Sequence, residues 1–579
     1  MVPLKDLCYA YLSPIGKRLL RTYKGLDDDI EAANLRIHPE VYLGIVVFLV
    51  ALSAIGSAIL SLLLLILVPS SFSNPYLLII ICSVPLVILI AGLSAPKMVA
   101  SNRISGLKNE IPYASMYLSV MVSGGLSPYA SLLRLRKTTL LPQLRKEIER
   151  IQRLVLTSGQ DPVTAMTKAA NVIGVKDFKE LLLGYASTLK TGGDVLHYLY
   201  SQTESMFKSL AIRVKAMGEN MGMLLEAYTI VAILGALGLY MVFIVSLSFP
   251  SFEAFPPEVF FLFAFIILPS VSIAFLYFGD TLQISNPVSQ WKMYMGLLFS
   301  APLGIFLLTQ LVLPFFDLTL LGIPFLTQIP VHIKDLLGLN NGSEAALGLA
   351  ITLISVCIPV SVLDSRYSEN ERGILRGVTS FLRDLVENRK TGLSPEKSIQ
   401  MLSDRDYGNF SNHLMVMSTK ISWGIPIRRI FEEFITKVKN WPSLVNMYLL
   451  IDTIEVGGGT EESLETLAEF AESSKELEIE RRALLKPLLI VPYMGAALLT
   501  LTTVMLLQLF ANISTMGETS ISIFQLTRML ITPLILHSFT IGLVAGKIVS
   551  GRTSAGFKHA IFLILISVIG VYVANFLVF

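Results

Sequence analysis

Gly125-Leu126-Ser127-Pro128 returns 267 residues later as Gly392-Leu393-Ser394-Pro395, and this repetition organises the whole sequence. A glycine-rich mark follows each copy at a similar distance, Gly192-Gly193 after the first and Gly457-Gly458-Gly459 after the second. Both marked stretches are long, polar and helical in pattern, and apolar segments flank each of them. The repeat therefore indicates a polar module that is present twice between membrane spans.

The composition is that of a membrane protein. Hydrophobic residues make up 53% of the chain, charged residues make up 15%, and the mean hydropathy is +0.65. The apolar residues gather in runs of roughly 20, the length that a helix needs to cross a bilayer core of about 30 Å. Nine such runs are present: 41–68, 76–96, 223–248, 258–278, 294–316, 345–363, 487–511, 526–549 and 560–578. We therefore expect about nine transmembrane helices.

The distribution of lysine and arginine gives the orientation. With residues 1–40 in the cytoplasm, alternation of nine spans places 43 of the 46 Lys and Arg residues on the cytoplasmic side. Positive residues near span ends favour that side, and Lys97, Arg213, Arg366 and Lys486 flank the two polar modules. We predict a multi-pass protein of the cell membrane with both large modules in the cytoplasm and an external C-terminus.

The repeat extends into the membrane. Shifting the last four spans back by 266 residues places them on the second, third, fourth and fifth spans, so the unit is one span, one polar domain and three spans. Both units have the same orientation, which makes this a parallel repeat. The predicted fold is all-α, with two duplicated cytoplasmic helical-bundle domains. The predicted parts are a cytoplasmic segment (1–40), spans 1–2 (41–96), the first domain (97–222), spans 3–6 (223–363, with external loop 317–344), the second domain (364–486) and spans 7–9 (487–579).

The repeated marks predict local structure rather than chemistry. Ser127 and Ser394 precede a proline and are placed to cap a helix that starts at Pro128 or Pro395. The glycines at 192–193 and 457–459 indicate a break before a long helix, and Thr460 can cap the second of these helices. No Lys-Ser/Thr pair follows the glycines, so a phosphate-binding loop is rejected, and so is one at Gly542–Lys547.

The sequence lacks the patterns of an enzyme or a metal protein. The three cysteines and six histidines are scattered, without the spacing of a disulfide or a zinc site. Asp404-Arg405-Asp406 has no evident third ligand and is interpreted as a solvated turn. We therefore expect no catalytic residue, no metal and no cofactor.

The two polar domains differ in charge. Residues 97–222 hold 17 Lys and Arg against 9 Asp and Glu, whereas residues 364–486 hold 17 against 20. The dense basic cluster consists of Arg134, Arg136, Lys137, Arg145, Lys146, Arg150 and Arg153. It is equally compatible with a solvated helix face near the membrane and with a surface that attracts acidic protein or anionic lipid. Aromatic residues are not interleaved with the cluster, so nucleic acid is a poor candidate.

Few ionisable groups lie within the spans. Glu226 lies about one turn into its span and is a candidate functional residue, because charged residues are rare within membrane spans. His537 is deeper and is interpreted as a neutral, hydrogen-bonded residue. A transporter or channel with cytoplasmic regulatory domains is the alternative function, and it would depend on these two residues. A membrane enzyme would need a carboxylate or histidine cluster at the membrane boundary, and none is visible.

Duplicated helical modules with a Gly-Leu-Ser-Pro mark and a later Gly-Gly, embedded among membrane helices, resemble the type II secretion system F domain family. Length and span number are most similar to its archaeal branch, the FlaJ-like platforms of archaella and type IV pili. GspF, PilC and TadC are bacterial relatives. By position, the family's marks fall on Gly125, Ser127, Pro128, Gly192, Gly193, Gly392, Ser394, Pro395, Gly457 and Gly458.

The resemblance implies a non-enzymatic platform that docks a hexameric cytoplasmic secretion ATPase and acts on pilin- or archaellin-like subunits, as a homodimer in membrane lipid. The resemblance implies no catalytic residue in this chain. The ATPase surface is assigned to the basic face of the first domain and to the acidic last helix of the second. The candidate residues are the seven cations of the basic cluster and Glu461, Glu462 and Glu465.

Overall fold

All regular elements in the described part of the chain are helices. The computed structural model describes residues 25–27, 30, 33, 37–67, 75–172, 174–248, 257–284, 291–316, 323–457, 459–514 and 522–577. The α-helices are α1 (Pro39–Leu67), α2 (Pro75–Ser123), α3 (Pro128–Leu135), α4 (Pro142–Ser158), α5 (Pro162–Val172), α6 (Lys176–Thr191), α7 (Val195–Tyr228), α8 (Gly235–Ser248), α9 (Pro257–Leu262), α10 (Leu268–Leu282), α11 (Met295–Leu311), α12 (Pro324–Leu337), α13 (Glu344–Lys390), α14 (Pro395–Leu402), α15 (Ser411–Ser422), α16 (Ile427–Lys437), α17 (Trp441–Gly457), α18 (Glu461–Leu485), α19 (Ile490–Ser514), α20 (Ile523–Ser550) and α21 (Thr553–Leu577). The all-α prediction is confirmed for these residues.

Seven helices within the described residues are long and apolar enough to cross a membrane. They cover seven of the nine predicted spans. Of the other two, the run 294–316 forms α11, an apolar helix of 17 residues, and the run 76–96 forms the start of α2, where many side chains lie outside the described residues. Nine spans therefore remain a prediction, whereas the multi-pass membrane class is supported.

Long helices connect the predicted spans to the polar domains without a break. The chain enters the first domain through α2, of 49 residues, and the second through α13, of 47 residues. It leaves each domain through a continuous helical segment of 52 residues, Val195–Ser246 and Glu461–Asn512. A π-helical turn at Thr229–Leu234 joins α7 to α8 in the first of these segments, and a 3-10 turn at Lys486–Leu489, which contains Pro487, joins α18 to α19 in the second. The same entry and exit therefore occur in both repeats.

The chain forms two compact units. Unit 1 comprises Met1–Ile111 and Gln143–Ala186, and unit 2 comprises Pro112–Pro142 and Ser187–Phe579. In unit 1, the carboxylate of Glu110 accepts the backbone N–H groups of Gln143 and Leu144 at 3.2 and 2.7 Å. These bonds satisfy donors in the first turn of α4, which no residue within the helix can accept. Burial raises the pKa of Glu110 to about 7, although the two backbone donors lower it.

The membrane core of unit 2 is a bundle of close-packed helices. Buried side chains from α7, α8, α13 and α18–α21 form one continuous apolar cluster. Helices α20 and α21 approach most closely at glycines. A Cβ on Gly542 would lie 2.3 Å from the Cα of Ala560, and one on Gly546 would lie 2.2 Å from the Cα of Gly556. The glycines at 542 and 546 therefore serve backbone packing between helices, as small residues do in membrane bundles.

Candidate functional site

The first repeated mark has the same geometry in both copies. Gly125 and Gly392 have φ angles of +89° and +85°, which favour glycine. Ser127 Oγ accepts the backbone N–H of Ala130, Ser394 Oγ accepts that of Lys397, and both distances are 3.3 Å. Pro128 and Pro395 are the first residues of α3 and α14. Both predicted caps are thus present, and each mark is a turn that starts a helix.

The second repeated mark is a glycine turn followed by a capped helix in both copies. Gly192 and Gly459 have φ angles of +72° and +62° before α7 and α18. The side chains of Asp194 and Thr460 then cap these helices. The sequence pairs Gly192-Gly193 with Gly457-Gly458, but Gly457 is the last residue of α17 and Gly458 lies outside the described residues. Counted back from the caps Asp194 and Thr460, Gly193 takes the position of Gly459, and Gly192 takes that of Gly458.

The two serine caps predict the same effect of substitution in both copies of the repeat. Ser127→Ala and Ser394→Ala should each destabilise the helix that follows by about 1 kcal/mol, since each leaves a first-turn N–H without its acceptor. Glycine at either position should cost only a few tenths of a kcal/mol. Hydrogen exchange of the amides of α3 and α14 measures both effects. An alanine variant no less protected than the glycine variant would contradict the capping role.

A buried carboxylate joins the two repeats within unit 2. Asp452, on α17 of the second repeat, is 1% exposed. Its Oδ2 accepts a hydrogen bond from the hydroxyl of Tyr117, which lies on α2. Arg134, on α3 of the first repeat, donates to the two carboxylate oxygens at 3.3 and 3.2 Å. These three residues come from both copies of the repeat, so the polar domains contact each other directly.

A second arginine completes this cluster. Arg428 donates to Asp452 Oδ1 and to both oxygens of Glu455, at 3.2 and 2.9 Å for Nε. Its guanidinium carbon lies 5.9 Å from the centre of the Tyr448 ring, and that ring stacks on Tyr117 at 6.1 Å. Two arginines thus face two carboxylates. Such a buried group needs these partners, because desolvation of an unpaired charge is costly. We name Tyr117, Arg134, Arg428, Tyr448, Asp452 and Glu455 the Asp452 cluster.

The electrostatics of the Asp452 cluster keep its tyrosines neutral. Burial raises the pKa of Tyr448 to about 12, and the negative charge of Asp452 adds to the effect. The pKa of Tyr117 is raised further by the same two causes, so its hydroxyl remains a donor. Hydrogen bonds to Glu455 and the charge of Asp452 raise the pKa of Arg428. The arrangement is a neutralised ionic joint rather than an acid or base poised for catalysis.

Further contacts surround the joint. The indole N–H of Trp441 donates to the carbonyl oxygen of Leu140 at 2.9 Å, and Trp441 packs edge to face on Tyr113 with ring centres 4.5 Å apart. The hydroxyl of Tyr113 lies 3.1 Å from that of Ser474. On α7, Phe207 stacks on Phe470 of α18 at 5.6 Å. Both segments of the first repeat that belong to unit 2 therefore pack on α17 and α18 of the second.

The predicted partner-binding residues do not share one environment. Arg145, Lys146, Arg150 and Arg153 lie on α4 in unit 1, and three of them are exposed, whereas Arg150 is half-buried. Arg134 is bound in the Asp452 cluster of unit 2, so its charge is already neutralised. Arg136 is half-buried and Lys137 is exposed, at the end of α3. Glu461, Glu462 and Glu465 are exposed on the first turns of α18, and Glu465 lies 3.5 Å from Lys390.

The two intramembrane residues have different surroundings. Glu226 is exposed on the outer surface of α7, so it does not line the core of the bundle. His537 is 1% exposed, but neither ring nitrogen has a hydrogen-bond partner in the described part of the structure. The expected hydrogen bond of His537 is therefore absent there, because the side chain lies among apolar residues of α20. The described residues also contain no group of three or more His, Cys, Asp or Glu placed to hold a metal ion.

Sequence reasoning missed the Asp452 cluster. Its partners are separated by 318 and 335 positions, so no local pattern connects them. One signal was available in the run Leu449-Leu450-Ile451-Asp452-Thr453-Ile454, where a single carboxylate interrupts an apolar helix. A lone charge at such a position must be paired or pointed to water, and this one is paired.

These features define a helical, multi-pass membrane protein with a duplicated polar domain. Comparison with models of known protein families identifies the family of the duplicated domain. The model of the family described as Type II secretion system (T2SS), protein F matches residues 114–243 and again residues 381–508. The chain carries the domain of this family twice, which confirms both the resemblance at the level of the family and the internal repeat. No curated protein and no solved structure matches the chain.

The matched family indicates a general function. Proteins of this family are membrane platforms of secretion and pilus systems, and they are structural components rather than enzymes. In related systems they work with secretion ATPases and pilin-like subunits. Each matched segment begins within a predicted polar domain and extends through most of the predicted span that follows it, to residue 243 or 508.

Proposed function

We propose that this chain is the cytoplasmic-membrane platform of an archaeal type IV pilus or archaellum assembly machine. It docks a hexameric secretion ATPase on its polar domains and couples ATPase motion to the assembly or rotation of a filament of pilin- or archaellin-like subunits. The observation that carries this function is the continuity of the helices that enter and leave both domains. No step requires a catalytic residue, a metal or a cofactor in this chain.

The long helices provide a mechanical connection. A continuous segment of 52 residues, such as Glu461–Asn512, spans about 78 Å at 1.5 Å per residue. It begins in a polar domain and ends in a membrane span, so a tilt imposed at one end displaces the other. Four such helices connect the two domains to the bundle. A motor that grips the domains would therefore move the spans.

The Asp452 cluster makes the two domains respond together. Because Arg134 and Asp452 come from different repeats, their contact joins α3 of the first domain to α17 of the second, and the stacking of Phe207 on Phe470 joins the exit helices α7 and α18. The same contact supports a shared side of the bilayer for the two domains. Together with the lysine and arginine distribution, it favours a cytoplasmic location for both and an external C-terminus after nine spans.

Two separate ATPase contacts are proposed, one on the exposed face of α4 in unit 1 and one on the first turns of α18 in unit 2. In α4, the apolar residues Leu144, Ile148 and Ile151 are buried, so the basic residues of the other face are available. Arg134 is removed from this surface because Asp452 and Glu455 neutralise it. A homodimer in the membrane would present the surface twice to a hexameric partner.

Charge reversal tests the docking surface. The triple variant Arg145→Glu, Lys146→Glu and Arg150→Glu should bind the purified secretion ATPase at least about tenfold more weakly, because complementary charge is replaced by repulsion. Binding is measured on full-length protein in nanodiscs. The triple variant Lys168→Glu, Lys176→Glu and Lys179→Glu makes the same charge change elsewhere in unit 1 and should bind normally. Equal affinities for the two variants would exclude the basic face of α4.

A further inference from the structure

A polar cavity of about 760 Å³ lies in unit 2 at the level where the predicted spans begin. Its wall combines the C-terminal end of α10, the part of α13 beyond its span, the end of α18 and the turn between α20 and α21. The volume is in the range of sites that hold small ligands. The helix ends place the cavity where a bilayer meets water, beside the second polar domain.

Cations outnumber anions in the wall of this cavity. Eight Lys and Arg residues line it against five Asp and Glu residues. Two of the arginines, Arg481 and Arg482, share one carboxylate. Glu478 serves both Arg481, at 3.5 Å, and Arg482, at 2.8 Å, and Arg552 reaches Asp364 only at 3.8 Å.

Arg372 is a cation of this wall without an ion pair to a residue in the described ranges. Its Nε donates instead to the carbonyl oxygen of Ser368 at 2.9 Å. Burial lowers the pKa of Arg372, and the like charges of Arg482 and Arg552 lower it further, whereas the charge of Glu369 raises it. An anion that enters the cavity would reduce the repulsion among these guanidinium groups.

We propose that this cavity binds a phosphate group. The planar donor fork of arginine matches phosphate oxygens in two parallel hydrogen bonds, and Arg372, Arg481 and Arg482 line one wall. The phosphate belongs either to an anionic lipid headgroup, which the boundary position favours, or to a soluble phosphate compound. This site does not depend on the platform function, so the failure of one leaves the other standing.

Two measurements distinguish the sources. Native mass spectrometry counts phosphatidylglycerol molecules retained by the full chain after extraction from nanodiscs of phosphatidylglycerol and phosphatidylcholine. In nanodiscs of phosphatidylcholine alone, inorganic pyrophosphate is titrated while the thermal unfolding midpoint is followed. Retained phosphatidylglycerol identifies the headgroup, and stabilisation by pyrophosphate at micromolar concentration identifies a soluble compound.

Substitutions in the cavity wall test whether the retained phosphatidylglycerol or the stabilisation by pyrophosphate depends on this cavity. Arg372→Gln alone should weaken binding at least about tenfold while leaving the Glu478 pairs intact, and Arg372→Lys should retain part of it. Arg372→Gln with Arg481→Gln should remove it. The control pair Lys397→Gln and Arg429→Gln makes the same charge change on exposed residues of the same domain. Binding that is equal in control and cavity variants, or absent from the wild-type chain in both measurements, would overturn the site.

Discussion

Replacing Asp452 with alanine is expected to weaken the contact between the two repeats by about 3–5 kcal/mol. The substitution leaves Arg134 and Arg428 without the carboxylate that they share, and removes the acceptor of the Tyr117 hydroxyl. Arg428 keeps hydrogen bonds to both oxygens of Glu455, whereas Arg134 keeps only a 3.7 Å ion pair with it, so the loss is larger on the side of the first repeat. Hydrogen exchange of the amides of α3 and α17 in nanodiscs measures the local free energy of opening.

The matched control is Asp404→Ala. Asp404 is an exposed aspartate of the same domain, so its removal should change protection by no more than about 0.5 kcal/mol. Asp452→Asn should lie between the two, because the amide oxygen still accepts a hydrogen bond but the negative charge is lost. Protection in Asp452→Ala that equals the Asp404→Ala control would show that the Asp452 cluster does not hold the domains together.

Glu219→Pro is expected to abolish filament assembly while leaving ATPase binding intact. Glu219 is exposed on α7, four residues before the predicted start of its span, so the change breaks the helix without removing a buried side chain. Proline removes a backbone hydrogen bond and clashes with the preceding turn, at a cost of about 3 kcal/mol. The domain then loses its rigid connection to α8. Filament counts by electron microscopy measure assembly, and a pull-down of the ATPase measures its binding.

The control for this helix is Glu219→Ala, which keeps the helix and removes the same charge. It should assemble filaments as the wild type does. Wild-type filament counts in Glu219→Pro would contradict transmission through α7, whereas loss of both assembly and ATPase binding would place the defect in the domain rather than in the connection.

The sequence predicted what is local and periodic. The helix starts at Pro128 and Pro395 follow from a serine, a proline and a glycine within four residues, and the duplication follows from their recurrence. Membrane spans follow from length and hydropathy alone. The glycine breaks before α7 and α18 also follow from local sequence, and the backbone adds that Gly192 and Gly459 have positive φ angles.

Tertiary pairing is what the sequence did not reveal. Arg134 was grouped with six other cations because they are close in sequence, yet it neutralises a carboxylate 318 positions away. Glu226 was a candidate because of its position along the predicted span. The sequence could not show which side of α7 it occupies, since that depends on the helices that pack on α7. The cavity around Arg372 likewise combines residues from six separate parts of the chain.

A double-mutant cycle between Arg134 and Asp452 tests most directly whether the two repeated domains are joined. Arg134→Ala, Asp452→Ala and the double variant are compared with the wild type by the opening free energies of α17 amides. We predict a coupling of about 1–3 kcal/mol, since Arg134 has little left to stabilise once Asp452 is gone. Effects that add within about 0.5 kcal/mol would contradict the joint, because residues that do not touch behave independently.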